Sequence, residues 1–173
     1  MIYTGIGSRE TPLSVIEKFI KPIANKLSER GYTLRSGGAD GADKAFEDNH
    51  YGKKEIYLPW YNFNRNESLN YKICDKAYDL ASKIHPVWGN LSHGGKKLHA
   101  RNCYQVLGIN LDKPSDMIIC WTPGGEDVGG TRTAIKLAKL NNIPVINIYN
   151  YSSLEEIMKD IDNAKRNNCN SIT

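Results

Sequence analysis

Several absences narrow the reading before any motif is considered. No apolar run approaches the roughly 20 residues that a membrane-spanning helix requires, so a membrane partner is not expected. The four cysteines, Cys74, Cys103, Cys120 and Cys169, include no C-x-x-C pair, and none stands near a histidine at zinc-site spacing. His50, His85, His93 and His99 are equally scattered. Reduced, mostly buried thiols are expected, with no metal and no cofactor. The opening "MIYTGIGSRE" lacks a basic segment followed by an apolar one, so the expectation is no signal peptide and a cytoplasmic location. No internal repeat, low-complexity tract or linker interrupts the chain. G-x-x-x-x-G-K-[ST] is missing, which argues against a P-loop, and "GIGSRE" is not G-x-G-x-x-G because Glu10 occupies the third glycine position.

What is present fits one globular domain over residues 1–173, with 40% hydrophobic and 24% charged residues. The net charge of +4 is local: residues 60–115 hold eight Lys/Arg against four Asp/Glu. Such a small excess is most often a solvated surface, though it also suits a phosphate-bearing partner.

Periodicity supplies the architecture. A β-prone start, "MIYTGIGS", precedes a helical stripe of Leu13, Ile16, Ile20, Ile23 and Leu27, with Thr11-Pro12 as its start and Gly31 as its stop. "YTLRSGG" reads as strand and turn, "ADKAFEDNH" as a helix, and "EIYLPW" as a third strand. Leu69, Ile73, Ala77, Leu80 and Ile84 predict a long helix from about Asn66 to Ile84. "KKLHARNCYQVLGINL" is helical, "DMIICW" a buried strand, "GTRTAIKLAKLNN" a helix, and "IPVINIY" the next strand. "SSLEEIMKDIDNAKRN" is a last helix opened by Ser153. Alternating strands and helices predict an α/β, Rossmann-like domain with a mostly parallel sheet and helices on both faces.

In such a sheet, ligands bind beyond the carboxyl ends of the strands. Three of those ends carry glycine-rich turns that lead into helices: "GIGSRE", "SGGADGAD" and "TPGGEDVGGT". Glycine lets backbone N–H groups approach a ligand, and a helix start behind them favours an anion. Together the three turns predict a phosphate cradle.

"GSRE", "LRSGGADGADKAFE" and "PGGEDVGGTRTAIKLA" resemble the SLOG superfamily of Rossmann-like proteins, over about Ile2 to Tyr149. Within it they look most like the DNA-processing protein A (DprA/Smf) branch, and "HARNCYQVLG" is similar to stand-alone members from phages and mobile elements. The resemblance implies three functions. One is binding of a nucleotide or nucleotide-derived small molecule, such as an ADP-ribose-type signal, and this reading is taken as primary. The alternatives are N-glycosidase action on a nucleoside 5′-monophosphate, as in the cytokinin-activating LOG enzymes, and binding of single-stranded DNA. LOG enzymes resemble P-G-G-x-G-T-x-x-E. Here "EDV" separates "PGG" from "GGT", and Ala134 stands where the acid would be, which weighs toward binding over turnover. Related folds often dimerise through helices, so a homo-oligomer is expected.

Site residues follow from the turns and the resemblance together. Gly5, Gly7 and Ser8 would offer donors, and Arg9 would pair with a phosphate unless it is bound to Asp40 or Asp43. Ser36, Gly37, Gly38 and Ala39 would line the second turn, with Asp40 and Asp43 facing ribose hydroxyls. Thr122, Gly124, Gly125, Gly129, Gly130 and Thr131 would form the third. Trp60, with Tyr61 and Phe63, would stack on a base or else cover the sheet edge. In "LHARN", helical spacing puts His99 and Asn102 on one face and turns Arg101 away, whereas the resemblance favours Arg101 as the ligand. Both remain candidates. Asp43, Arg101 and Glu126 are the weak candidates for a catalytic role, Glu126 or Asp127 being the acids nearest the missing one.

Overall fold

The computed structural model describes residues 1–170, and side chains through residue 166, so the expectation for Cys169 falls outside the described side chains. Five strands form one sheet: β1 (Ile2–Gly7), β2 (Thr33–Ser36), β3 (Lys54–Ile56), β4 (Met117–Trp121) and β5 (Val145–Asn147). Their spatial order is β3-β2-β1-β4-β5, and every pairing is parallel. The sheet is therefore wholly parallel. The chain works outward from β1 to β3, then crosses back to place β4 on the other side of β1. Strand order reverses between β1 and β4, which opens a crevice at their carboxyl ends.

Side-chain alternation along the central strands builds the two cores. On one face Tyr3, Met117, Ile119 and Trp121 pack against α2 (Lys21–Glu29), α3 (Ala42–Asn49) and α7 (Leu154–Asn170), through Ile23, Leu27, Phe46, Ile157 and Ile161. On the other, Ile6, Ile118 and Cys120 pack against α4 (Asp75–Ile84), α5 (His93–Leu107) and α6 (Arg132–Leu140), through Ala81, Cys103, Val106 and Ile135. All five β4 residues are buried, as a strand covered on both faces must be. Among the described residues no helix is long and apolar enough to cross a membrane.

Three local expectations need correction. The first helical stripe is not one α-helix. A short α1 (Leu13–Val15) passes through a π-helical stretch (Ile16–Ile20) into α2, and the change of pitch leaves Leu13 exposed while Ile20 and Ile23 are buried. Its N-cap is Pro12 without a side-chain bond, because the Thr11 hydroxyl donates to the Ser8 carbonyl. The predicted 66–84 helix begins only at Asp75. Residues 66–70 instead run beside β3, where the Leu58 N–H donates to the Asn70 carbonyl and Asn66 Oδ1 accepts from Ser68 N–H. Leu69 is consequently exposed. Ser153 does open α7, its Oγ accepting from Glu156 N–H at 3.3 Å.

Candidate functional site

The crevice between β1 and β4 is a cleft of about 530 Å³. The turn after β1 supplies Gly7, Ser8 and Arg9. Thr122, Gly129, Gly130 and Thr131 come from the loop after β4, and Leu98, His99, Arg101, Asn102 and Gln105 from α5. The second turn contributes only Ala39, and α3 contributes Asp43.

Asp43 organises the floor. It is buried, and its Oδ1 accepts the Gly7 N–H at 3.0 Å while Oδ2 lies 3.6 Å from Arg101 Nη1. Burial pushes its carboxyl up to about 6, against the opposing pull of the Arg101 charge and the Gly7 N–H. Burial likewise pulls Arg101 below the ordinary guanidinium range, with Asp43 offsetting part of the cost. Arg101 Nη1 also donates to the Tyr57 carbonyl at 3.3 Å. Gln105 completes the cluster: with its amide turned to satisfy its neighbours, its oxygen accepts from Gly37 N–H (3.0 Å) and Arg101 Nη1 (3.1 Å) and its nitrogen donates to Asn102 Oδ1 (2.9 Å). Arg101 Nε is buried without a hydrogen-bond partner, an orphan donor in the wall of a cleft.

The opposite wall is held more loosely. Asn102 Nδ2 donates to the Gly130 carbonyl and so ties α5 to the loop before α6. His99 Nδ1 shares a hydrogen bond of 2.8 Å with Thr133 Oγ1. Burial, then His85, Arg101 and Arg132, push the His99 imidazole down to about 4. Asn147, absent from the sequence candidates, fixes Thr122 by donating from Nδ2 to Thr122 Oγ1 (2.6 Å) and accepting the Thr122 N–H at Oδ1 (3.4 Å).

The structure does not turn Arg101 away as helical spacing suggested: His99, Arg101 and Asn102 of "LHARN" all line the cleft. Residues 99–107 of α5 are buried all round, between the sheet and its neighbouring helices, so the helix presents a broad arc to the crevice. Gln105 was missed by sequence reasoning, although it stands four residues after Arg101 and hence on the same side of the helix.

Other candidates lie elsewhere. Gly5 sits beneath Phe46, and Ser36 donates its hydroxyl to the Gly5 carbonyl. Gly37 is covered by Arg101 and Gln105, and Gly38 abuts Leu58 and Asn66. Asp40 is exposed outside the cleft, and Trp60 packs edge-on against Phe63 at 5.1 Å on the sheet edge. Gly124 and Gly125 are outside too, Gly125 facing Asn150 and Tyr149. The expected convergence of three turns is thus corrected to two, because β2 lies on the far side of β1 from the switch point. The N–H groups of Gly7 and Ser8 are not free donors either, being bonded to Asp43 and to the Trp121 carbonyl. Arg9 is exposed in the cleft and, among the described residues, forms no ion pair. Asp43 pairs with Arg101 instead.

The catalytic candidates separate in the same way. Ala134 is fully buried in the core beneath α6, so the position that matches the LOG acid faces away from the cleft. Glu126 is exposed and outside it. Asp127 is engaged structurally, its carboxylate with Lys139 at 2.7 Å and its carbonyl with Arg132 Nε.

No family model and no curated protein sequence matches this chain. The fold, a single α/β domain around a parallel sheet, is shared with a solved structure. DNA processing protein A from Helicobacter pylori, described for its single-stranded DNA binding mode, is similar with a TM-score of 0.61 and 18% identity, over 96% of this chain and 81% of that chain. At that identity the likeness speaks to the fold.

Proposed function

We propose that this protein binds single-stranded DNA, with a backbone phosphate seated in the β1–β4 cleft. One observation carries the reading: positively charged groups gather in a single crevice at the switch point. Arg9 is exposed there and forms no ion pair among the described residues, the buried Arg101 Nε behind it has no hydrogen-bond partner, and the loop into α6 brings the positive end of that helix to the same wall. A guanidinium pair and a helix start together suit a phosphate. The fold shared with a single-stranded-DNA-binding protein favours a strand as the phosphate's source. A second reading, an isolated nucleotide or ADP-ribose-type molecule, is favoured by the cleft's size, which matches small-molecule sites.

Fluorescence anisotropy with labelled oligodeoxythymidylate tests this. The expected result is binding that grows with length up to about ten nucleotides and weakens steeply with salt. Arg9→Ala should weaken it about ten-fold, the size of one charge-assisted hydrogen bond. Absence of binding at low salt would remove the strand, and equal affinity in Arg9→Ala would remove the cleft. Saturable binding of a mononucleotide without strand binding would select the second reading.

A further inference from the structure

His85 has so far had no role. It follows the end of α4, and its ring lies 4.3 Å, centroid to centroid, from that of His99, tilted by 57°. His99 lines the cleft, and His85 stands behind it. Two imidazoles in contact cannot both be charged without cost.

Their surroundings carry the same sign. From α6, Arg132 acts on both rings and Lys136 on His85. Arg101 acts on His99 from their shared helix, and Arg9 on Arg101 from the turn after β1. The 3-10 turn Trp88–Asn90 contributes the Trp88 ring, 6.4 Å from that of His85, with Lys96 Nζ 5.9 Å from the Trp88 ring centroid. Neither histidine has an ion pair among the described residues. Of the neighbouring carboxylates, Asp43 of α3 is engaged with Arg101 and Asp127 of the loop with Lys139, while Glu10 lines the same cleft from the turn after β1. His85 Nδ1 accepts from Val87 N–H at 3.4 Å, so the neutral ring carries its hydrogen on Nε2 and an added proton displaces that contact at Nδ1, whereas His99 Nδ1 is tied to Thr133 Oγ1.

We propose that His85 and His99 act as one proton-binding unit in the cleft wall, and that a phosphate entering the cleft is bound together with a proton taken up by this pair. The proposal rests on the phosphate-binding reading above. In the unliganded protein the cations that act on the pair, Arg101, Arg132 and Lys136, oppose protonation. A phosphate between Arg9, Arg101 and His99 reverses that field, and the proton then adds to its hold. Binding and protonation are reciprocal, so acid must tighten binding as much as binding favours the proton. The cleft would thereby respond to pH in the range where histidine normally titrates.

The test is ring NMR of the histidines with and without oligodeoxythymidylate, with anisotropy measured in parallel. In the unliganded protein, His85→Gln should raise the His99 midpoint from about 4 toward the ordinary value, because a like-charged neighbour is gone. An unmoved midpoint would overturn the pair. With oligonucleotide bound, the His99 midpoint should rise by about two units, which makes affinity about four-fold tighter at about pH 5.5 than at about pH 7.5. Asp43 loses charge across the same window, so His99→Gln should retain only the smaller part of that gain. A midpoint that stays put while anisotropy reports binding would overturn the coupling and leave the cleft reading intact. Absence of oligonucleotide binding at every pH would defeat the phosphate reading and the coupling with it, while the unliganded titration still decides whether the rings act as a pair.

Discussion

Two glycine-rich turns stand one strand apart on the same rim of the sheet and use glycine for opposite ends. In the turn after β2 the glycines are filled around. A methyl group on Gly37 would overlap Arg101 Nη1 and Gln105, and one on Gly38 would come within 2.9 Å of Leu58. At the α6 end of the loop after β4 the space is open, with nothing within 4 Å of where a Cβ would sit on Gly129 or Gly130. Gly129 has a conformational reason, its φ being +61°. Gly130 has neither a steric nor a conformational one within the protein. A bare backbone in sequence marks either close packing or open approach, and only the neighbours tell which.

The contrast is breakable at several points. Gly37→Ala carries the largest expected effect. With buried Arg101 and Gln105 displaced, denaturant unfolding should show a loss of about 3 kcal/mol or more, if the variant folds at all. Asp43→Ala should cost about 3 kcal/mol in the same measurement, since it strips a buried Arg101 of its counter-charge and the Gly7 N–H of its acceptor. Gly130→Val should do the reverse of Gly37→Ala: the melting temperature stays within about 2 °C, and oligonucleotide affinity falls about ten-fold. If Gly130→Val unfolds the protein, or if it binds normally, the two turns do not differ as described.

The smallest effect is in pH. His50 is buried against Tyr3, and burial holds it below its ordinary value, as it does His99. For both, the unfolded chain binds protons that the folded chain does not, so their contribution is complete above about pH 6.5 and is lost as pH falls toward the folded values. Asp43 has the opposite sign. Its raised carboxyl takes up a proton in the folded state first, so stability from that group grows as pH falls through about 6. Melting temperature should therefore decline only shallowly from pH 7 to pH 5, and Asp43→Asn should steepen the decline by removing the opposing group.

Much of the fold was legible from particular residues. "DMIICW" read as a buried strand because Met117 to Trp121 is apolar at every position, and Ser153 marked the start of the last helix. Leu69 and Ile73 misled because they fall at helical spacing ahead of Asp75, although Leu69 belongs to a segment that hydrogen-bonds beside β3. The site was legible in type but not in membership. Arg9, His99, Arg101, Asn102 and Thr131 lie together, whereas Gly5, Gly38, Asp40 and Trp60 do not. Asn147 carried no signal, because its link to Thr122 crosses from β5 to the end of β4.

By itself the sequence determined the alternation of strands and helices, since apolar spacing and turn chemistry act over neighbouring residues. It also determined that backbone would be laid bare at three strand ends. Which of those ends face one another was decided only in three dimensions. Strand order sets the crevice between β1 and β4, and strand order depends on contacts more than a hundred residues apart in the chain, such as Thr4 Oγ1 to the Gln105 carbonyl and Ile2 N–H to Asp116.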